Sequence, residues 1–225
     1  MASFGGVTMK VLMLGNSYTY FFDMPKILQA LFDENGVDAK VDSITAGGRV
    51  LWQNLDEGDA LHAEVVSKCA ENAYDALILQ EQSSNAMGHY REFLRGVCGC
   101  VALVKPARTV MYATWGRKEG CDLLDEFGWT NQTMTEGLAA AYDAAARKVG
   151  GECAHVGKCF YEIRKAYPGI ELYDPDLSHP SYAGSCVAAL TIYKKLVGQL
   201  PAKTASLNMD AADVAHACEV IDSVN

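Results

Sequence analysis

The chain has 225 residues, half of them apolar and 21% charged, which is enough apolar material for a packed core and too little polarity for wholesale disorder. Its formal net charge is −9 at pH 7, and its basic residues gather only in isolated pairs such as Arg117-Lys118 and Lys194-Lys195. A row of nucleic-acid phosphates needs denser positive charge, so nucleic acid is excluded as a partner.

The length fits one domain over residues 1–225, with 204–225 as a carboxy-terminal helix. The amino terminus, MASFGGVTMK, has no basic stretch, and the apolar run behind it is about four residues where a secretory core needs roughly seven. No window of about 18 residues is continuously apolar, so the expectation is a cytoplasmic protein with no membrane partner. Eight cysteines sit singly, with Cys98-Gly99-Cys100 the only close pair and no C-x-x-C. They read as buried reduced thiols, with a metal or redox pair as the alternative.

Taken in chain order, the pattern alternates short apolar runs with longer amphipathic stretches. Residues 10–14 (KVLML) predict a strand, and 23–35 a helix that Asp23 caps, Pro25 opens and Asn35-Gly36 ends, with Ile27, Leu28, Leu31 and Phe32 on one face. A strand at 39–44 and a helix at 59–72 follow, then a strand at 75–80 and a helix at 89–104. The strand at 108–113 leads into an unpatterned stretch, 114–131, that reads as a loop forming part of a site wall. Beyond it come a helix at 132–149, a strand at 152–156, helices at 158–167 and 181–198, and a last acidic helix near 208–222 that packs on the domain or joins two copies. Continuous rather than alternating apolarity says the strands are covered on both faces, which makes the fold three-layer α/β with a parallel sheet.

In such sheets ligands bind beyond the carboxyl ends of the strands, and Ser17, in GNSYT at 15–19, stands at one. Gly15 reads as the residue that lets the backbone turn there. The spacing matches no phosphate loop and no lysine follows. A serine needs a base and the base needs an orienting partner. His62, His89, His155 and His216 read as ordinary structural residues. His179 differs, because LYDPDLSHPSYAG at 172–184 sets Asp176 three residues before it in a Pro-rich loop. That spacing brings carboxylate and imidazole side by side, and the competing reading is that Asp176 or Ser178 caps the next helix.

With GNSYT at 15–19, AGG at 46–48 and DLSHP at 176–180 in this order, the chain resembles the SGNH/GDSL hydrolases, a family of esterases and lipases. Asn16 stands where Asp is usual in the first block. The resemblance implies a flavodoxin-like sheet of about five parallel strands and hydrolysis of acyl esters, with Ser17 as nucleophile, His179 as base and Asp176 as its partner. It also implies an oxyanion hole, from which losing one donor costs ~3–4 kcal/mol of transition-state stabilisation. Two donors are expected from the amides of Ser17 and of Gly47 or Gly48. The third block departs from the usual G-x-N-D: LILQEQSSNA at 77–86 is nearer to the Q-G-E-S form of some carbohydrate esterases, and leaves the third donor among Gln80, Gln82 and Asn85, with Gln80 first because it ends the strand.

Aromatics near the strand ends, Tyr18, Tyr20, Phe21, Phe22, Trp52, Tyr112 and Trp115, are core residues or cleft walls, and Trp52 and Trp115 are the candidate substrate walls. Arg49 and Arg117 could grip a carboxylate or a sugar hydroxyl, or stand in solvent. No lid-like amphipathic stretch points to lipid, so the expected partner is a small soluble or carbohydrate ester, with no cofactor, no metal and a homo-oligomer possible. Two other readings remain: a silent ligand-binding domain on the same fold, and a metal held by Asp174, Asp176 and His179.

Overall fold

The computed structural model describes residues 8–225; the first seven residues of the stretch read for a leader lie outside them. Five strands, β1 (Met9–Gly15), β2 (Ala39–Thr45), β3 (Ala76–Leu79), β4 (Arg108–Tyr112) and β5 (Glu152–Ala154), form a parallel sheet in the order β2-β1-β3-β4-β5. In β1, Val11 and Met13 face one apolar layer while Leu12 and Leu14 face the other, all nearly inaccessible. That is why the strand reads as an unbroken apolar run.

The helices are α1 (Ser17–Tyr20), α2 (Met24–Glu34), α3 (Ala60–Glu71), α4 (Asn85–Gly88), α5 (Tyr90–Val104), α6 (Asp122–Phe127), α7 (Asn131–Val149), α8 (Val156–Ala166), α9 (Tyr182–Val197) and α10 (Ala211–Val224). The layer holding α2, α8, α9 and α10 covers one face of the sheet, and α3, α5 and α7 cover the other. The last helix packs on the domain, burying Val214, Ala217, Val220 and Ile221. No helix of the described residues is long and apolar enough to cross a membrane. All eight cysteines are free.

Three local expectations are corrected. Asp23 stands at the start of α2 but in the left-handed region (φ 55°), so its carboxylate makes no cap and pairs instead with Lys26 at 3.1 Å. The strand at 152–156 stops at Ala154, because α8 starts at Val156 and takes His155 as its N-terminal flank. The supposed loop 114–131 contains α6, too short for a helical period to stand out.

The register matters most for function. Leu14 lies beside Leu79, and Gly15 beside Thr45. The chain therefore leaves β1, β2 and β3 at one level, and residues 16–18, 46–48 and 80–83 emerge together at the carboxyl edge.

Candidate active site

The floor of this edge is built around Gly15. It is still part of β1 and has ordinary strand geometry, so it does not make the turn expected of it. A Cβ there would fall 2.4 Å from Thr19 Oγ1 and 2.7 Å from Gln80 Oε1, which makes glycine a condition of close packing rather than of bending. Gln80 Oε1 accepts from the Asn16 amide and from Thr19 Oγ1, both at 2.9 Å, and its Nε2 donates to the Glu81 carbonyl. Gln80 is almost fully buried. Its amide is thus occupied on both sides and faces the core, which corrects its ranking as the leading oxyanion donor.

Asn16 caps α1 by accepting from the Tyr18 amide at 3.1 Å, while its Nδ2 donates to the Arg49 carbonyl at 2.9 Å. A carboxylate has no such donor. Asparagine in place of aspartate therefore ties the serine's turn to the loop after β2. In that loop Arg49 N–H donates to Ala46 at 3.2 Å, and Gly48 sits at φ 66°, the left-handed position of the turn. Arg49 itself is held by Asp59 through two contacts, 3.0 and 3.2 Å, and by Asn54, so it stays in the scaffold.

Ser17 begins α1 and its Oγ–H donates to His179 Nε2 at 2.8 Å; the other ring nitrogen, Nδ1, donates to Asp176 Oδ2. Asp176 Oδ1 accepts from the Ser178 and His179 amides, both at 2.9 Å, a loop closed by Leu177 in the left-handed region at φ 62°. Burial raises the Asp176 pKa, but the hydrogen bonds from His179 and Ser178 outweigh it and hold the carboxyl below its ordinary value. The imidazole stacks on Phe21 at 4.2 Å and meets Tyr18 edge-on at 5.4 Å, which fixes its plane. Helix α9 is capped by Ser181, whose hydroxyl accepts from Gly184, so neither Asp176 nor Ser178 serves as the cap.

The cleft above Ser17 has a volume of about 350 Å³ and is lined by Gly48, Gln82, Ser83, Arg117, Ser178 and His179 among others. The Ser17 and Gly48 amides have no hydrogen-bond acceptor among the described residues, and neither has Nε2 of Gln82, whose Oε1 accepts from the Ser84 and Asn85 amides at 3.2 and 3.1 Å. Gly47 lies beside the Tyr20 hydroxyl and does not line the cleft, and Asn85 is buried in α4. Of the candidate donors the cleft thus brings together the Ser17 and Gly48 amides and Gln82.

Glu81, between the two glutamines, is fully buried. Burial pushes its pKa up to about 7, against hydrogen bonds from the Gln82 and Leu51 amides.

The two tryptophans expected as walls are elsewhere. Trp115 is wholly buried in a stack with Tyr18 (4.7 Å) and Phe160 (4.0 Å), and its Nε1 donates to the Ser178 carbonyl at 3.0 Å. It props the histidine loop from below. Trp52 lies beside α5, with the Arg95 guanidinium 6.0 Å over its ring, outside the cleft. Asp174 does not join Asp176 and His179 as a ligand set: among the described residues the only trio with metal-ligand spacing is Asp143, Cys153 and His155. Ser83, Ser178 and Arg117 line the cleft; Ser83 carries no signal in the sequence because it is an isolated serine in a polar loop, and Ser178 read there only as a candidate helix cap.

No family model matches the chain, and no curated protein matches it. Solved structures do. A protein of Slackia heliotrinireducens described as an SGNH hydrolase is 31% identical over 84% of this chain and 100% of its own, with a TM-score of 0.74. A DUF4886 family protein of Bacteroides uniformis is 16% identical, with 96% of this chain and 94% of that one covered and a TM-score of 0.81. An acetyl xylan esterase of Geobacillus stearothermophilus shares the fold at 15% identity, 86% and 94% coverage and a TM-score of 0.55.

Proposed function

Because the chain belongs to the SGNH/GDSL hydrolases, with the three-layer α/β/α fold of that family, we propose that it is a serine esterase cleaving short acyl esters of a small soluble or carbohydrate substrate. The observation that carries this reading is the relay from Asp176 through His179 to the Ser17 hydroxyl, with 2.8 Å between Nε2 and Oγ.

Asp176 keeps the proton of the imidazole on Nδ1, leaving the Nε2 lone pair aimed at Ser17. As Oγ attacks the ester carbonyl, Nε2 takes its proton, and Asp176 steadies the imidazolium that forms. The carbonyl oxygen becomes an oxyanion held by the Ser17 and Gly48 amides and by Gln82 Nε2, donors already in place before substrate arrives. His179 returns the proton to the leaving alcohol, and the acyl group stays on Ser17. Water then attacks, activated by the same nitrogen, and the acid leaves. A cleft of about 350 Å³ supports a short acyl group, acetyl first among them.

The test is hydrolysis of p-nitrophenyl acetate at pH about 8 by the wild type and by Ser17→Ala, with a chelator in parallel. Turnover that vanishes with Ser17 and ignores the chelator supports the esterase. Folded wild type without turnover favours a silent binding domain, and turnover that survives Ser17→Ala rejects the assignment of Ser17.

A further inference from the structure

Of the ionisable side chains Asp176, His179 and Arg117 that line the cleft, acyl transfer as described leaves one without a task, Arg117. This residue is held at its backbone and at one guanidinium nitrogen. Its amide donates to Met134 Sδ at 3.3 Å, its carbonyl accepts from Asn131 Nδ2 at 2.8 Å, and its Nη2 donates to Ser83 Oγ at 2.7 Å. The guanidinium lies 5.7 Å from the centre of the Tyr18 ring, which in turn meets His179.

What it lacks is a counter-charge. Seven arginines occur among the described residues, and four of them, Arg49, Arg108, Arg117 and Arg164, are not exposed. Arg49, Arg108 and Arg164 pair with Asp59, Glu152 and Glu119; no carboxylate lies within 4.0 Å of Arg117 among the described residues. Its Nε is buried with no acceptor. Among the described residues the only acid lining the cleft is Asp176, whose two oxygens are occupied by His179 and the Ser178 amide. The groups left free, the Ser17 and Gly48 amides, Gln82 Nε2 and the guanidinium, are all donors. A chain of net charge −9 thus presents at its serine one guanidinium without an ion-pair partner, among free hydrogen-bond donors.

A half-buried cation without a partner is costly to maintain unless a ligand supplies the partner. The planar fork of arginine matches a carboxylate by two parallel hydrogen bonds. We propose that the substrate is an ester that itself carries a carboxylate, bound by Arg117 while its scissile carbonyl lies against Ser17. This rests on the esterase reading and names the substrate class of the same site.

Two pairs of esters test it, one for each side of the scissile bond. 4-Acetoxybenzoate against 4-acetoxybenzamide places the charge on the leaving alcohol, and the mono-p-nitrophenyl ester of adipate against p-nitrophenyl hexanoate places it on the acyl group. In the wild type at least one carboxylate ester is expected to be preferred by about tenfold or more in kcat/KM, the usual worth of a charge-assisted hydrogen bond. Salt should erode the preference. In Arg117→Gln the ratio falls towards one through a higher KM for the carboxylate ester, and Arg117→Lys, which keeps the charge but not the fork, retains part of it.

Near-equal use of both members of both pairs by the wild type overturns the proposal, whether or not Arg117→Gln folds. So does a preference that survives Arg117→Gln, or an equal loss on charged and neutral esters. If no ester is turned over by the wild type the esterase reading fails separately, and calorimetry decides the anion site. Ser17→Ala protein should then bind 4-acetoxybenzoate at least about tenfold more tightly than its amide, and the Ser17→Ala/Arg117→Gln protein should not; equal binding of the two overturns the anion site as well.

Discussion

The molecule holds two trios of nucleophile, imidazole and carboxylate, and they behave differently. At the carboxyl edge Ser17, His179 and Asp176 border an open cleft. At the edge strand, His155 lies between Cys153, whose Sγ is 3.8 Å from Nδ1, and Asp143, whose Oδ1 is 3.2 Å from Nε2. By side-chain chemistry the second trio has the stronger nucleophile. Yet burial, reinforced by the nearby Asp143 charge, drives the Cys153 thiol pKa far up, and burial lowers that of His155 against the pull of Asp143. The thiol stays protonated, and a thiol is not the reactive form. Cys153 is buried in β5, whereas Ser17 lines a cleft in which the Ser17 and Gly48 amides have no acceptor among the described residues. A catalytic trio thus depends less on its residues than on an accessible crevice with donors prepared for developing charge.

The contrast breaks most directly by exchanging losses. Ser17→Ala is expected to lower kcat on p-nitrophenyl acetate by at least about a thousandfold. Cys153→Ala should leave kcat within about twofold and cost about 1–2 kcal/mol of stability through the cavity it opens, read from urea unfolding. The reverse pattern would move the chemistry to β5. Next in size is Asp176→Asn, which leaves the shape of the loop but favours the wrong imidazole tautomer. A fall of about 10²–10⁴ in kcat is expected, while Asp143→Asn leaves the rate near that of the wild type.

The preparation of donors is probed by Gln82→Ala, for which kcat should drop about 10²–10³ with little change in KM, since an oxyanion donor acts in the transition state. A loss confined to KM would assign Gln82 to substrate binding alone.

The smallest effect concerns Glu81, which like Cys153 is a buried acid with a raised pKa. Because its folded pKa lies above its unfolded one, its contribution to stability is complete below pH about 4.5 and is lost as the pH rises through about 7. Wild type should therefore lose up to about 3 kcal/mol relative to Glu81→Gln across that window, measured as the difference between their urea midpoints. A difference that does not change with pH would mean that Glu81 stays ionised when folded.

Much of the architecture was legible from residues alone. The three inner strands, β1, β3 and β4, are short apolar runs bounded by polar turns, and burial on both faces leaves that mark whatever the rest of the chain does. Helix α2 showed its apolar stripe for the same reason, although its cap failed, because a cap depends on the φ of a single residue, Asp23. Strand-end position singled out Ser17 and the three-residue spacing in a Pro-rich loop singled out Asp176 and His179, with the resemblance then assigning their roles.

By itself, then, the sequence determined the layering, the parallel sheet, the family and the three residues proposed for the chemistry, all properties written in local pattern. The tertiary structure alone decided that Gln80 turns inward and Gln82 outward, that Trp115 lies under the histidine loop rather than beside the substrate, and that Arg117 meets the cleft without a carboxylate. Those outcomes depend on which partner reaches a side chain first across separations of tens of residues, such as Asn16 to Gln80 or Trp115 to Ser178. Burial and hydrogen-bond competition at such separations leave no period and no motif in the chain.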